Sequence, residues 1–206
     1  MAKKRKTRRV KIGKLPLEGV LEGADAERAA VITHPHPLYG GDMDNPVVTR
    51  LSRTFAEAGY CALRFNFRGT GKSGGSHGGG EAEKEDVTQA IAFLEKLGKL
   101  PVYLAGYSFG AWVMGRMAQE QMLSHPLILV APPVDFLDFH QGRPMPGLCL
   151  VVSGSRDEFG PPELVRVLAA QWNPDASVAV VNGADHFFWN HLDDLARLVS
   201  LHLAKS

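Results

Sequence analysis

The chain has 206 residues, of which 45% are hydrophobic and 22% charged, with a formal net charge of +1. This length suits one well-packed domain, and the composition excludes an intrinsically disordered chain. No apolar run approaches the roughly 18 residues that a membrane span needs, and no apolar stretch follows the N-terminal charges as it would in a secretory signal. We therefore expect a single domain over residues 1–206 in a cytoplasmic protein.

The N-terminal segment is strongly basic: residues 1–14 contain eight of the 23 Lys and Arg residues and no acid. A basic segment can bind nucleic acid or an anionic membrane surface. Because no aromatic residues alternate with these charges, bases would find no platform for stacking. We favour a solvated, flexible arm over residues 1–9 that leads into an edge strand, and we expect no nucleic-acid partner.

Apolar runs of strand length alternate with segments of helical periodicity along the rest of the chain. In order, the sequence predicts a β-hairpin (TRRVKIG, PLEGVLEG), a strand (RAAVIT), a helix (NPVVTRLSRTFAEAG), a strand (YCALRFNF), a helix (EKEDVTQAIAFLEKLG), a strand (PVYLAGY), a helix (SFGAWVMGRMAQEQM), two strands (HPLILV, LCLVV), a helix (PPELVRVLAAQW), a strand (SVAVV) and a helix (FFWNHLDDLARLVSLHLAKS). Continuous Val, Ile and Leu strands separated by helices indicate an α/β fold whose mostly parallel sheet is covered on both faces. Functional groups should then follow the carboxyl ends of the strands.

Ser108 stands between a predicted strand and a predicted helix, within G-Y-S-F-G. This is the nucleophile-elbow pattern G-x-S-x-G. The turn strains the serine backbone and requires small residues two positions away on each side, which here are Gly106 and Gly110. A helix that begins at the serine also directs its positive end toward the reacting centre.

Two further polar groups each follow a predicted strand, Asp157 in SGSRDEF and His186 in GADHFF. A serine needs an imidazole to take its proton, and the imidazole needs a carboxylate to fix its tautomer. The chain order Ser, Asp, His is that of the α/β-hydrolases. We predict Ser108 as nucleophile, His186 as general base and Asp157 as the acid. Asp135 and Asp185 are alternative acids, although a neighbour of the histidine rarely has the geometry to bind its Nδ1.

An oxyanion hole requires two N–H donors near the serine. One should be the backbone N–H of Phe109, directly after the nucleophile. The other should come from residues 31–45, VITHPHPLYGGDMDN, which follow a predicted strand. The prolines of this loop have no N–H, which leaves His36 or Leu38, and we favour His36.

No metal or cofactor site is predicted. His34 and His36 are two residues apart, so their imidazoles would point in different directions in an extended chain, and no nearby carboxylate or cysteine completes a ligand set. Cys61 and Cys149 each lie in an apolar run. We expect both to be reduced, buried thiols.

The segment FNFRGTGKSGGS, residues 65–76, has the appearance of a phosphate-binding loop. The full motif G-x-x-x-x-G-K-[ST] would require glycine at position 66, where the chain has Asn66, and a helix that begins at once. GGSHGGG follows instead and does not favour a helix. We interpret this segment as a rim of the active site, anchored by hydrogen bonds from Arg68 to neighbouring backbone.

Five motifs lie in a fixed order within residues 31–188: HPHPLYGGDMDN, RFNFRGTGKSGG, AGYSFGA, SGSRDEF and GADHFF. This set resembles the small lidless α/β-hydrolases related to dienelactone hydrolase. The resemblance implies an α/β-hydrolase fold, a Ser-His-Asp triad and ester hydrolysis without a cofactor. Dienelactone hydrolase uses a cysteine nucleophile, whereas this chain has Ser108, so its lactone reaction does not carry over.

The connection between the strands HPLILV and LCLVV has 17 residues, which is too short for a cap domain. An uncovered site favours small or short-chain esters. A thioesterase, a peptidase or a C–C hydrolase with the same triad is an alternative, as is a non-catalytic module. Six aromatic residues lie near the expected mouth, and we expect most of them to pack in the core: Phe136, Phe139, Phe159, Phe187, Phe188 and Trp189.

Overall fold

The computed structural model describes residues 7–140 and 142–205. The strands are Thr7–Ile12 (β1), Leu17–Glu22 (β2), Ala29–Thr33 (β3), Cys61–Phe65 (β4), Val102–Tyr107 (β5), Leu127–Val130 (β6), Leu148–Gly154 (β7) and Ser177–Val181 (β8). The helices are Pro46–Glu57 (α1), Glu81–Lys96 (α2), Phe109–Gln119 (α3), Pro162–Trp172 (α4) and Leu192–Leu203 (α5), and Pro37–Tyr39 form one 3-10 turn.

The eight strands form one sheet in the order β1-β2-β4-β3-β5-β6-β7-β8. β2 pairs antiparallel with β1 and with β4, and the remaining neighbours are parallel. Every residue of β3, β5 and β6 is buried, as expected for central strands covered on both faces. The edge strands β1 and β8 are largely exposed or half-buried.

Helices cover both faces of this sheet. On one face α1 and α5 pack through residues such as Phe55 and Val199. On the other face α2, α3 and α4 pack through residues such as Val87, Met114 and Val165. Each such side chain stabilises the fold by roughly 1.5–3 kcal/mol when it is fully buried. The predicted architecture is confirmed, including the lack of a cap domain, because β6 and β7 are joined only by residues 131–147.

β1 begins at Thr7, as predicted for TRRVKIG, so residues 7–9 of the predicted arm belong to the edge strand, while residues 1–6 lie outside the described residues. One predicted boundary differs from the structure. The last helix begins at Leu192 and not at Phe187, because Phe188 and Asn190 have φ values of 54° and 62°, which a right-handed helix does not accommodate. Over the described ranges, no helix has the length and apolarity to cross a bilayer.

The GTGKS segment is held by a carboxylate of the neighbouring strand. Oε2 of Glu18 accepts hydrogen bonds from the Lys72 amide at 3.0 Å and from Nδ2 of Asn66 at 3.1 Å. α2 does not begin until Glu81, so no helix N-terminus adjoins the segment. An anionic group therefore stands where a phosphate loop would need to bind an anion.

Arg68 anchors this loop, but the prediction that it does so through backbone groups was wrong. Its Nε and Nη2 donate to Oδ1 of Asp86 at 3.0 and 2.7 Å, and its own amide donates to Oδ2 at 2.9 Å. Nη2 also reaches Glu85 at 3.2 Å. Burial raises the pKa of Asp86, and the hydrogen bonds from Arg68 oppose that shift. The Asp86 side chain is fully buried, so this pair fixes the loop to α2.

Replacing Asp86 by alanine should destabilise the fold far more than the same change at Glu85. The first substitution leaves a mostly buried guanidinium without its main partner, and we expect a loss of about 3 kcal/mol. The Glu85 carboxylate is 69% exposed, so Glu85→Ala should cost less than about 1 kcal/mol. Urea unfolding of both variants measures the difference, and equal losses would contradict this account of the loop.

Candidate active site

Ser108 lies in the turn between β5 and α3 with φ 53° and ψ −116°, a conformation that residues with a side chain rarely adopt. Its amide donates to the Val130 carbonyl at 3.0 Å. A Cβ atom on Gly106 would lie 2.6 Å from the carbonyl oxygen of Gly110, and one on Gly110 would collide with Oγ1 of Thr33. Side chains are therefore excluded at both positions, for the steric reason that the sequence suggested.

The three predicted catalytic residues lie in one chain of hydrogen bonds. Oγ of Ser108 is 2.8 Å from Nε2 of His186, and Nδ1 of His186 is 2.9 and 3.0 Å from the two carboxylate oxygens of Asp157. Because a carboxylate only accepts, Nδ1 carries the proton and Nε2 presents its lone pair to the serine hydroxyl. All three residues are less than 10% exposed.

The alternative acids do not touch the imidazole. Oδ1 of Asp185 accepts from the amides of Phe187 and Trp189, at 3.0 and 3.3 Å, and so closes the turn after His186. Asp135 is exposed, in the segment that follows β6. Asp157 is itself held in place, since its Oδ1 also accepts from the Phe159 and Gly160 amides at 3.0 and 2.9 Å.

Tyr107 supports the histidine, and the sequence reasoning missed it. Its hydroxyl donates to the backbone carbonyl of His186 at 3.1 Å, and the side chain is buried. Burial raises the pKa of Tyr107, and the negative charge of Asp157 raises it further, so the phenol stays protonated. The pattern G-x-S-x-G leaves the residue before the serine unspecified, so no sequence signal marked this role.

The two candidate loop amides are placed differently. The Leu38 amide donates to Nδ1 of His36 at 3.3 Å, and the Leu38 side chain is 71% exposed. His36 instead lies against Phe109, with 4.7 Å between the ring centroids, and both residues line the cleft that contains Ser108. As the first residue of α3, Phe109 has no intrahelical acceptor for its N–H. Because the Leu38 amide already has an acceptor within its own loop, His36 is kept as the predicted loop donor.

The cleft around the serine has a volume of about 500 Å³. Among the described residues, its walls carry neither a carboxylate nor a Lys or Arg side chain. The prediction that most aromatic residues near the mouth pack in the core was wrong. Phe136, Phe159, Phe187 and Trp189 are 38–67% exposed, and only Phe139 and Phe188 are buried. The lining residues are Pro35, His36, Tyr39, Gly40, Gly41, Asn45, Tyr107, Ser108, Phe109, Pro133, Phe136, Leu137, Phe159, His186 and Phe187.

The His34 imidazole, considered as half of a metal pair, is occupied by the protein itself. Its Nε2 accepts from the Phe67 amide at 3.0 Å and its Nδ1 lies 2.7 Å from the Pro35 carbonyl oxygen. Within residues 7–140 and 142–205, no three His, Cys, Asp or Glu side chains are placed to hold a metal ion. Cys61 is buried and Cys149 half-buried, and both are free thiols.

The strand order and the serine turn that follows β5 define the class: this is a hydrolase with the α/β-hydrolase fold. Comparison with known proteins agrees. The alpha/beta hydrolase domain family matches residues 30–194, and the chain belongs to that family.

Solved structures of two bacterial proteins are similar over nearly the whole chain. An α/β serine hydrolase homologue from Coxiella burnetii is 34% identical, covering 96% of this chain and 97% of that one, with a TM-score of 0.83. An α/β serine hydrolase without a lid from Xanthomonas campestris is 27% identical, covering 100% and 96%, with a TM-score of 0.84. An uncharacterized protein of Rickettsia prowazekii is 29% identical over 90% of this chain and 85% of its own length. The narrower relation to dienelactone hydrolase stays a prediction.

Proposed function

We propose that this protein is a serine carboxylesterase that hydrolyses small, uncharged esters through an acyl-enzyme. The observation that carries the proposal is the continuous hydrogen-bond chain from Ser108 through His186 to Asp157, with 2.8 Å between the serine oxygen and the imidazole nitrogen. The 2.8 Å contact lies within the range over which a base can take a hydroxyl proton. An intact chain of this kind favours a catalyst over a non-catalytic interaction module.

In the first half-reaction, Oγ of Ser108 attacks the ester carbonyl carbon while its proton passes to Nε2 of His186. Asp157 stabilises the resulting imidazolium through Nδ1. The carbonyl oxygen becomes an oxyanion that accepts hydrogen bonds from the amides of Phe109 and His36, at the positive end of α3. The C–O bond to the alcohol then breaks, and the alcohol leaves with the proton from Nε2.

The second half-reaction regenerates the serine. His186 takes a proton from water, whose oxygen attacks the acyl carbon and forms a second oxyanion in the same hole. Collapse of this intermediate breaks the bond to Oγ, returns the proton to Ser108 and releases the carboxylic acid. The ester and water are the only reactants, and neither half-reaction needs an oxidant or a reductant.

The substrate class is inferred from the size and charge of the cleft. A volume of about 500 Å³ with exposed aromatic walls suits a small acyl group and a small alcohol. Every charged residue that directly precedes or follows a lining residue in the chain is an acid: Asp42, Asp44, Asp135, Asp138, Glu158 and Asp185. Asp44 is paired with Arg64 at 3.1 Å, whereas the other five form no ion pair among the described residues. Their negative charge beside the cleft repels anionic substrates and so favours neutral esters.

Ser108→Ala should abolish turnover of p-nitrophenyl acetate, with a loss on the order of 10⁴- to 10⁶-fold in kcat. Asp157→Asn should lower kcat by about 10⁴-fold, because the amide cannot hold the same tautomer. The matched control is Asp135→Asn at the exposed alternative acid, which should leave kcat unchanged. Wild-type turnover by Ser108→Ala would refute the proposal, and fluorophosphonate labelling that is lost in Ser108→Ala but kept in Asp135→Asn would support it.

His36→Pro tests the proposed loop donor, since it removes the N–H while keeping the backbone geometry. His36 has φ −60°, which proline adopts without strain. We expect kcat for p-nitrophenyl acetate to fall by about 10²- to 10³-fold. His36→Ala removes the same ring, with its contact to the Leu38 amide, but keeps the N–H. The fall in kcat for this variant should therefore be much smaller. Equal losses in the two variants would exclude the His36 amide as donor.

The charge preference can be measured with two p-nitrophenyl esters of equal acyl length, the butyrate and the monosuccinate. We expect kcat/KM for the anionic monosuccinate to be about tenfold lower at low ionic strength, with the gap narrowing in about 0.5 M NaCl because exposed charges are screened. The double variant Asp135→Asn, Glu158→Gln should also reduce the difference in kcat/KM between the two esters. The control Glu95→Gln, near the C-terminal end of α2, should leave that difference unchanged. Equal rates for both esters would contradict the assigned substrate class.

A further inference from the structure

His34 is a fully buried histidine that no step of the proposed mechanism uses. It directly follows β3, and its two ring nitrogens bind groups of opposite kind. Nε2 accepts from the Phe67 N–H at 3.0 Å, and Nδ1 lies 2.7 Å from the Pro35 carbonyl oxygen. An amide N–H can only donate and a carbonyl can only accept, so His34 is held as the neutral tautomer with its proton on Nδ1.

Burial keeps this tautomer neutral under ordinary conditions. Desolvation lowers the pKa of His34 to about 4, although the hydrogen bond to Pro35 partly opposes that shift. The ring also packs edge-on against Phe67, with 4.8 Å between the centroids. The position and the proton of the imidazole are therefore both fixed before any substrate binds.

The Pro35 carbonyl and the His36 N–H belong to the same peptide unit. Since that unit is trans and planar, its C=O and N–H point in opposite directions. A bond that fixes the carbonyl toward His34 therefore fixes the N–H on the other side, away from His34. Pro35 and His36 both line the cleft around Ser108, so an N–H that points away from His34 can face a substrate oxygen there.

The same loop is clamped at two more points. The His34 carbonyl accepts from the Gly110 amide at 3.1 Å, which ties the loop to the first turn of α3. The His36 carbonyl accepts from the Gly41 amide at 3.1 Å, and a Cβ atom on Gly41 would collide with the Pro35 oxygen. The Pro35–His36 peptide is therefore closely packed. His34 binds its carbonyl oxygen, and the direction of that oxygen sets the rotation of the peptide unit.

We propose that His34 is a positioning residue for the oxyanion hole: its Nδ1–H orients and polarises the Pro35–His36 peptide so that the His36 amide donates to the oxyanion. A carbonyl that accepts a hydrogen bond makes the N–H of its own peptide a stronger donor. Nε2 serves a separate purpose, which is to tie the segment after β4 to the loop. This inference rests on the proposed function, since it assigns a role within the same site.

Two substitutions by amide side chains test the roles of Nδ1 and Nε2 of His34 separately. His34→Gln can place its oxygen near the Nε2 position and keep the bond from Phe67, but it loses the donor to Pro35. His34→Asn can place its amide nitrogen near the Nδ1 position and keep that donor, but it loses the acceptor for Phe67. We expect His34→Gln to lower kcat/KM for p-nitrophenyl butyrate by about 10- to 100-fold and His34→Asn to lower it much less.

A tetrahedral inhibitor gives the readout that a merely structural role would not move. An alkyl trifluoromethyl ketone forms an oxyanion on Ser108, so its inhibition constant should rise in His34→Gln by the same factor as kcat/KM falls. Binding of the matching unreactive amide, which forms no oxyanion, should stay as in wild type. Equal losses in the two variants, or wild-type ketone affinity in a folded His34→Gln protein, would overturn the proposal.

Gly41→Ala provides a second route if a His34 variant fails to fold, because its methyl group displaces the Pro35 oxygen without changing His34. It should show the same selective loss of ketone affinity, and wild-type affinity in this variant would overturn the proposal. A wild-type protein that neither hydrolyses the ester nor binds the ketone would instead refute the esterase function itself. Wild-type activity combined with unaffected variants would refute only the role of His34.

Discussion

The backbone conformation of Ser108 is the constraint on which the rest of the site depends. A positive φ at a residue with a side chain costs about 1–3 kcal/mol, and it persists only where the surroundings enforce it. Here β5 and α3 enforce it from both sides, because neither Gly106 nor Gly110 has a side chain that would keep the segments apart. In this conformation Oγ of Ser108 lies 2.8 Å from Nε2 of His186.

The parallel sheet brings the other groups to that serine. His34 follows β3, Asp157 follows β7 and His186 follows β8 by a short turn, so segments far apart in the chain end at one edge. Each is then fixed by backbone groups. Asp157 accepts two amides of its own loop, and the His186 carbonyl accepts from Tyr107. The side chains are thus set in place by hydrogen bonds that exist before a substrate arrives.

The sequence was sufficient to predict the fold and the meeting of Ser108, Asp157 and His186, because each follows its own apolar run and parallel strands share an edge. It was insufficient where a partner is chosen by packing. Nothing in the chain pairs Arg68 with Asp86, which lies 18 positions later, and a count of aromatic residues cannot show that Phe136 turns outward. The orientation of a single peptide unit, such as the one between Pro35 and His36, cannot be predicted from hydrophobic periodicity.

The basic start of the chain has a consequence for association between copies. Among the described residues β1 pairs only with β2, so its other side offers unpaired N–H and C=O groups, which in many proteins invite a second strand. Arg8, Arg9 and Lys11 on this strand are all exposed, and within residues 7–140 and 142–205 only Arg9 has an acidic partner, Glu18 at 2.8 Å. If the β1 strands of two copies were to pair, their positive charges would lie side by side. The positive charge on β1 therefore disfavours pairing between the β1 strands of two copies, which is one route to sheet-extending aggregation.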